Sequence, residues 1–150
     1  MITQDTDFTA ALQHAIDTKT KPVGSLGRME GLAARIARIQ ATLKPTAETC
    51  QLTIFAADHG MATAGVSSYP QDVTRQMVAN FLSGGAAANV FARSLGADIR
   101  IVDSGVAGDA IAHPNLVSRR IAPGTANALE GPAMTEAQVE AAITTGRALG

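Results

Sequence analysis

The sequence predicts an α/β fold in which helices cover a parallel β-sheet. Two short apolar segments, residues 51–57 and 98–103, have the length and residue types of strands, and two helical segments lie between them. A strand, a helical crossover and a second strand form a βαβ unit, which pairs the two strands in parallel. The many alanines and an aromatic content of 3% are typical of closely packed sheets covered by helices.

Two helices are predicted before the first strand. The first spans residues 7–18, with Asp7 as its cap and with Phe8, Leu12 and Ile16 at helical spacing. The second spans residues 29–43 and is ended by Pro45. Its predicted apolar stripe consists of Leu32, Ile36, Ile39 and Leu43.

The residues between the strands predict two more helices. The first strand, 51–57, is nearly all apolar and is therefore expected to be buried. Residues 72–81 form a helix with an apolar side of Val73, Met77, Val78 and Phe81, and Ser83-Gly84-Gly85 breaks it. The next helix spans residues 86–95, and Gly96 ends it.

The segment after the second strand is long and irregular. Residues 107–132 contain three prolines and several glycines, with one short strand expected within 116–121. An irregular segment of this length is typically functional or packed on another part of the protein. Thr135 and Gln138 then have the spacing of a capping box, which predicts a helix with Ala142 and Ile143 facing inward.

Composition excludes several classes of function. With 12 basic and 13 acidic residues the net charge is −1 and there is no basic stripe, so nucleic acid is not an expected partner. The chain has no apolar run of the ~20 residues that cross a bilayer, and its polar residues 1–5 do not resemble a signal peptide. The single cysteine, Cys50, suits a reducing, cytoplasmic compartment. No Cys, His and Asp spacing matches a metal site.

Polar residues follow both predicted strands. Asp58 and His59 follow the first strand, while Asp103 and Ser104 end the second. Parallel strands would place these residues at one edge of the sheet, where ligands of open α/β sheets bind. His59 is a candidate acid/base or phosphate donor, or a structural histidine. Asp58 is a candidate ligand contact or a loop anchor.

A second group of candidates follows the first strand-end loop. A flat aromatic ligand could lie against Met77 and Phe81, with Gln76 or Ser68 at its polar edge and Tyr69 nearby. On spacing alone, Met77 and Phe81 are interpreted as core residues of a helix.

Several segments, taken in order along nearly the whole chain, resemble one enzyme family. They are Phe55-Ala-Ala-Asp-His-Gly60, Gly65-Val-Ser-Ser-Tyr-Pro-Gln-Asp-Val-Thr74 and Gln76-Met-Val-Ala-Asn-Phe-Leu-Ser-Gly-Gly-Ala-Ala-Ala-Asn89. Shorter matches are Lys21-Pro-Val-Gly-Ser-Leu-Gly27, Val102-Asp-Ser-Gly-Val106, Gly124-Thr-Ala-Asn127 and Pro132-Ala-Met-Thr135. This ordered set resembles the nicotinate-nucleotide–dimethylbenzimidazole phosphoribosyltransferases, which make the lower-ligand nucleotide of cobalamin.

The resemblance implies a fold and an activity. The fold is a Rossmann-like parallel sheet with flanking helices, and residues 1–45 belong to a small helical domain while residues 46–150 form an incomplete Rossmann-like domain. The enzymes are homodimers that transfer phosphoribose from nicotinate mononucleotide to dimethylbenzimidazole, giving α-ribazole phosphate and nicotinate. The family needs no metal or organic cofactor.

The resemblance also assigns residues. Ser68, Tyr69, Gln76, Met77 and Phe81 match the benzimidazole-pocket segment, and Asp58 and His59 match the loop beside it. The family's Gly-Glu-Met-Gly phosphate-binding segment and its catalytic glutamate lie beyond residue 150, and Glu130, Glu136 and Glu140 lie outside any matching context. The chain is therefore expected to be an inactive N-terminal portion of such an enzyme.

Two alternatives to an enzyme fragment are a non-catalytic binding module for benzimidazole-like heterocycles and an element that serves folding or dimerisation alone.

Overall fold

The computed structural model describes residues 6–150. The polar N-terminal segment, residues 1–5, lies outside the described residues. The chain divides into two compact units, Met1–Glu48 and Thr49–Gly150. The sequence predicted a division three residues earlier, after residue 45.

The first unit contains two helices, α1 (Thr6–Asp17) and α2 (Arg28–Gln40). Leu12 of α1 is buried against Ala34 and Ala37 of α2, with Phe8 and Ile16 packed around them. The predicted first helix is confirmed to within one residue at each end. Because α1 begins at Thr6, Asp7 lies in the first turn of the helix, not at the predicted cap position.

The prediction for the second helix is wrong at its C-terminal end and on its buried face. α2 ends at Gln40, well before Pro45, because Ala41 takes a left-handed conformation at φ 50° and its N–H caps the last turn. The buried positions of α2 are the small Ala34 and Ala37, while Leu32 and Ile39 of the predicted stripe are exposed. Small side chains allow the two helices to approach closely.

The loop between α1 and α2 is fixed by one carboxylate. Lys21 Nζ lies 2.8 Å from Glu30 Oε1, and the Leu26 N–H donates to the same oxygen at 3.1 Å. These donors stabilise the ionised carboxylate, so the hydrogen bond from Lys21, followed by that from Leu26, lowers the pKa of Glu30 from its usual value of 4.5.

The second unit contains the sheet and its helices. Its strands are β1 (Gln51–Ala57), β2 (Asp98–Gly105) and β3 (Leu116–Ser118), all parallel in the order β1-β2-β3. A short 3₁₀ helix (Gly60–Ala64) follows β1, and α3 (Asp72–Ser83) and α4 (Ala87–Leu95) lie between β1 and β2. The helix α5 (Glu136–Leu149) is the last element. The predicted α/β fold, with a parallel sheet and flanking helices, is confirmed.

The core of this unit lies between α3 and one face of the sheet. Its buried members are Ala56, Val78, Ile101, Val106 and Leu116. Alternate residues of a strand face opposite sides, so Ile54 and Ala56 of β1 contact this core while Phe55 points away and is 51% exposed. The prediction that β1 is buried is therefore wrong, because β1 is an edge strand of the described sheet.

The ends of the helices follow the predicted signals. Gly84 and Gly96 take left-handed conformations where α3 and α4 end. Thr135 Oγ1 accepts the Gln138 N–H at 3.3 Å, and Gln138 Oε1 accepts the Thr135 N–H at 2.8 Å, so the predicted capping box is confirmed. The prediction that one side of α5 faces inward is wrong, because Ile143 is exposed and α5 has no buried residue.

Removing the central valine of the core tests this packing. Val78 is 1% exposed, so Val78→Ala removes buried methyl groups and leaves a cavity. We expect it to lower the free energy of unfolding by about 2 kcal/mol, measured by urea denaturation. Val90→Ala on α4, where the side chain is 50% exposed, is the matched control and is expected to change it by under about 0.5 kcal/mol. Equal effects of the two variants would contradict the assigned core.

The Glu30 carboxylate gives a pH-dependent prediction. Its pKa is lowered in the folded state, so its interactions stabilise the fold above pH 4.5, and this contribution is lost as the pH falls through the folded-state pKa. Lys21→Met should raise the pKa of Glu30 toward 4.5, measured by NMR titration of the side-chain carboxyl carbon. Lys44→Met, at an exposed position of the same unit, should leave it unchanged. An unaltered Glu30 pKa in the Lys21 variant would refute the pairing.

Candidate functional site

The polar ends of β1 and β2 lie at one edge of the sheet. Ala56 pairs with Asp103 and Ala57 with Gly105, and the register shifts between them. The Asp58 N–H donates to the Gly105 carbonyl at 2.9 Å. The structure therefore places Asp58 and His59 beside Asp103 and Ser104, as the parallel pairing predicted. β2 runs two residues further than predicted, so Ser104 lies within the strand.

The Asp58 side chain is buried, with 4% of its surface exposed. Its Oδ1 accepts the Thr74 hydroxyl at 2.6 Å, and its Oδ2 accepts the Ala107 N–H at 2.7 Å. Thr74 lies in the first turn of α3, and Ala107 lies in the loop after β2. One carboxylate thus joins the end of β1 to two other segments.

Asp103 has a more local role. Its side chain is 1% exposed, and its Oδ1 accepts the N–H groups of Gly105 at 3.0 Å and Val106 at 2.9 Å. A carboxylate that accepts the following backbone amides fixes a turn. Asp103 therefore shapes the exit of the chain from β2.

Part of the long irregular segment packs on this same edge. The Thr125 N–H donates to the Asp58 carbonyl at 3.0 Å, and Thr125 Oγ1 accepts the Gly60 N–H at 3.2 Å. A Cβ on Gly60 would lie 2.6 Å from the Ala126 carbonyl carbon, so the two backbones touch. Gly105 meets the same segment, because a Cβ there would lie 2.7 Å from the Ala122 oxygen.

A cavity of about 320 Å³ opens beside this edge. We call it the strand-end cavity. Its apolar walls are formed by Ala57, Met61, Ala62, Val66, Pro70 and Val73. Its polar lining residues are Asp58, His59, Ser67, Tyr69, Gln71 and Thr74. A small cavity with mainly apolar walls and a few polar groups suits a small organic ligand.

The structure brings three of the predicted site residues into this cavity. They are Asp58, His59 and Tyr69. The residues predicted alongside them that do not line it are Ser68, Gln76, Met77, Phe81 and Asp103. Gln76 and Met77 are exposed on α3.

Phe81 lies at the other end of α3. Seven residues of helix separate it from Thr74, a rise of roughly 10 Å. It packs against the hydrophobic core and borders a second cavity of about 480 Å³, which is also lined by Gln51, Arg100 and Asn115 near the start of the strands. The core interpretation of Phe81 fits its position near the C-terminal end of α3. The pocket interpretation would need a position near the N-terminal end of α3, beside the strand-end cavity.

Sequence reasoning missed most of the walls of the cavity. Met61, Val66 and Val73 lie in the 3₁₀ helix, the following loop and the first turn of α3. Gln71 is held by its Nε2, which donates to the His59 carbonyl at 3.0 Å. These residues share one signal, since all of them fall between the end of β1 and the first turns of α3.

The carboxylate that lines the cavity is engaged by the protein. Both oxygens of Asp58 already accept hydrogen bonds from the protein. Among residues 6–150, no three His, Cys, Asp or Glu side chains are grouped so as to hold a metal ion. Within that same range, no helix has the length and apolar character needed to cross a membrane.

Comparison with known proteins places the chain in a class. A family of phosphoribosyltransferases matches residues 2–150. The crystal structure of CobT from Thermus thermophilus superposes with a TM-score of 0.85 at 44% identity, over 95% of this chain and 43% of that one. Fold and sequence thus place the chain in a family of phosphoribosyltransferases.

The curated relatives identify the particular family. The nicotinate-nucleotide–dimethylbenzimidazole phosphoribosyltransferase of Aromatoleum aromaticum is 52% identical over 145 residues, which is 97% of this chain and 42% of that protein. The enzyme of the same name from Dechloromonas aromatica is also 52% identical, with the same coverage. The chain belongs to the nicotinate-nucleotide–dimethylbenzimidazole phosphoribosyltransferase family, and it spans about two fifths of the length of these relatives.

A methyl group added at Gly60 tests the close backbone approach beside the cavity. Gly60→Ala would place its Cβ 2.6 Å from backbone atoms of Thr125 and Ala126, and we expect it to lower the free energy of unfolding by about 2 kcal/mol. Gly146→Ala in α5, where a Cβ meets nothing within 4 Å, should raise it by up to about 1 kcal/mol. Urea denaturation measures both. If Gly60→Ala proved neutral, the contact between the two segments would be refuted.

Proposed function

We propose that the chain forms the base-binding part of a nicotinate-nucleotide–dimethylbenzimidazole phosphoribosyltransferase. The whole enzyme would transfer phosphoribose from nicotinate mononucleotide to dimethylbenzimidazole in cobalamin biosynthesis. The observation that carries the proposal is the strand-end cavity of about 320 Å³, with apolar walls and polar edges, in a chain of this family.

The reaction needs two flat rings on opposite sides of one carbon atom. A nitrogen of dimethylbenzimidazole attacks the anomeric carbon of the ribose, the bond from that carbon to the nicotinate nitrogen breaks, and nicotinate leaves. The attacking ring loses its N–H proton to a base, which leaves the benzimidazole ring of α-ribazole phosphate uncharged. Holding the attacking ring in place makes the bimolecular step effectively intramolecular.

The cavity residues supply that positioning. Met61, Val66 and Val73 offer apolar surface to the faces of a ring, and the ring of Tyr69 lies at the exposed side. A thioether and an aromatic side chain make favourable contacts with a flat heterocycle. His59 lines the same cavity and can meet a ring nitrogen at its polar edge.

The other predicted site residues remain part of the proposal. Ser68 lies between two cavity residues, Ser67 and Tyr69. Gln76 and Met77 lie on the exposed part of α3 just after the first turn, and we place them where the ligand leaves the cavity. Phe81 contributes through the core, and Asp103 contributes through the turn after β2.

The proton-accepting carboxylate is proposed to come from the part of the longer enzyme that this chain does not match. Asp58 is buried and accepts two hydrogen bonds, and neither Glu130 nor Glu136 lines the cavity. We also propose, from the resemblance, that the whole enzyme is a cytoplasmic homodimer.

Calorimetric titration of the chain with dimethylbenzimidazole tests the proposal. Saturable binding of one equivalent is expected, and incubation with dimethylbenzimidazole and nicotinate mononucleotide together should give no α-ribazole phosphate. Ala62→Trp should abolish binding because the indole fills the cavity that Ala62 lines. Ala64→Trp is the matched control, since Ala64 is exposed in the same 3₁₀ helix and lies outside the cavity.

Each outcome of this experiment decides one part of the proposal. Binding that is lost with Ala62→Trp and kept with Ala64→Trp supports a base pocket in the strand-end cavity. Binding that survives both variants would move the base pocket elsewhere. Formation of α-ribazole phosphate by the chain alone would refute the assignment of the catalytic base to another part of the enzyme.

A further inference from the structure

The buried carboxylate of Asp58 joins several segments of the chain. A side chain that only contacts a ligand would not need to do so. It is 4% exposed, and its two oxygens accept from the Thr74 hydroxyl and from the Ala107 N–H at 2.6 and 2.7 Å. Both distances lie in the normal range of hydrogen bonds. The carboxylate is therefore fixed by the protein before any ligand arrives.

The backbone of Asp58 extends the same set of contacts. Its N–H donates to the Gly105 carbonyl at 2.9 Å, and its own carbonyl accepts the Thr125 N–H at 3.0 Å. Gly124 packs close to the same carbonyl, because a Cβ at that position would lie 3.2 Å from the Asp58 carbonyl oxygen. One residue thus contacts the end of β2, the loop after it, the first turn of α3 and the segment around residue 125.

The partners of Asp58 set the shape of the strand-end cavity. Thr74 lines the cavity, and so does its neighbour Val73. The Ala107 loop is held from the other side by Arg75 of α3, whose guanidinium donates to the carbonyls of Ala107 and Asp109. Loss of the Asp58 carboxylate would free the first turn of α3 to move relative to the end of β1.

We propose that Asp58 is a positioning residue of this site, which acts on the bound base through Thr74 and α3 and not as a proton acceptor. The inference rests on the proposed function in its choice of ligand. It also separates two roles that the sequence left open for Asp58, the ligand contact and the loop anchor, in favour of the anchor.

The test compares two buried polar residues of the same unit. Asp58→Asn keeps the shape of the side chain but offers one acceptor oxygen in place of two. Asn89→Ala is the matched control: Asn89 is also 4% exposed, and its side chain joins Phe81 to Ala86, neither of which lines the cavity. Both variants should lower the melting temperature, so binding is measured at a temperature where both are folded by circular dichroism.

Asp58→Asn should raise the dissociation constant of dimethylbenzimidazole about tenfold, the size expected for losing one charge-assisted hydrogen bond that holds the cavity. Asn89→Ala should leave the constant within about twofold. In NMR spectra, the Ala107 amide proton should move upfield in the Asp58 variant alone. A changed Ala107 signal together with unchanged binding would overturn the proposal, and so would equal weakening by both variants.

A second measurement keeps this proposal separate from the proposed function. If the unmodified chain does not bind dimethylbenzimidazole, the base-binding proposal fails, and hydrogen exchange of the ligand-free chain then judges Asp58. Asp58→Asn should speed exchange of the Ala107 and Thr125 amides more than that of the core amide of Val102. A uniform increase at all three amides would show a general loss of stability and would overturn the positioning role.

Discussion

A buried carboxylate at the end of β1 holds together the segments that surround the strand-end cavity. Asp58 accepts hydrogen bonds from the first turn of α3 and from the loop after β2, while its backbone pairs with Gly105 and Thr125. A buried ionised group is costly unless its hydrogen bonds are satisfied. The groups that donate to Asp58 are therefore held close to it, and their positions determine the shape of the cavity.

The parallel sheet is what brings these segments together. β1 and β2 end at the same edge, so the loops that follow them must leave side by side, and α3 must begin close to where β1 ends. Glycine at position 60 then allows the backbone around residue 125 to approach within contact distance. A ligand site at this edge is a general property of open α/β sheets, and here the apolar residues of the 3₁₀ helix and the loop after it supply its walls.

Sequence reasoning predicted the fold well where the signal was local. The bounds of β1, the ends of α3 and α4 at Gly84 and Gly96, and the capping box at Thr135 follow from short-range preferences, and the structure confirms them. Sequence reasoning failed where the burial of a side chain depends on which other strand or helix packs beside it. Phe55 is apolar yet half exposed, because β1 lies at the edge of the described sheet.

The sequence predicted the edge of the sheet at which the site lies, but it did not predict most of the residues that form the walls of the cavity. Parallel pairing placed Asp58 and His59 at the edge, but the cavity also needs Met61, Val66 and Val73, which carry no chemical signature in the sequence. Phe81 is a separate case: helical spacing puts it on the same side as Val78, but it lies roughly 10 Å along α3 from Thr74 at the edge. Which part of α3 lies beside the cavity depends on how the helix packs on the sheet, and residue types alone do not report that packing.

The most direct measurement is the position of dimethylbenzimidazole on the chain by NMR. If the strand-end cavity is the base pocket, nuclear Overhauser effects should connect the ring methyl protons of the ligand with side-chain protons of Met61, Val66 and Val73. Effects that instead connect the ligand with Phe81 and Ile99, at the opposite end of the strands, would contradict it.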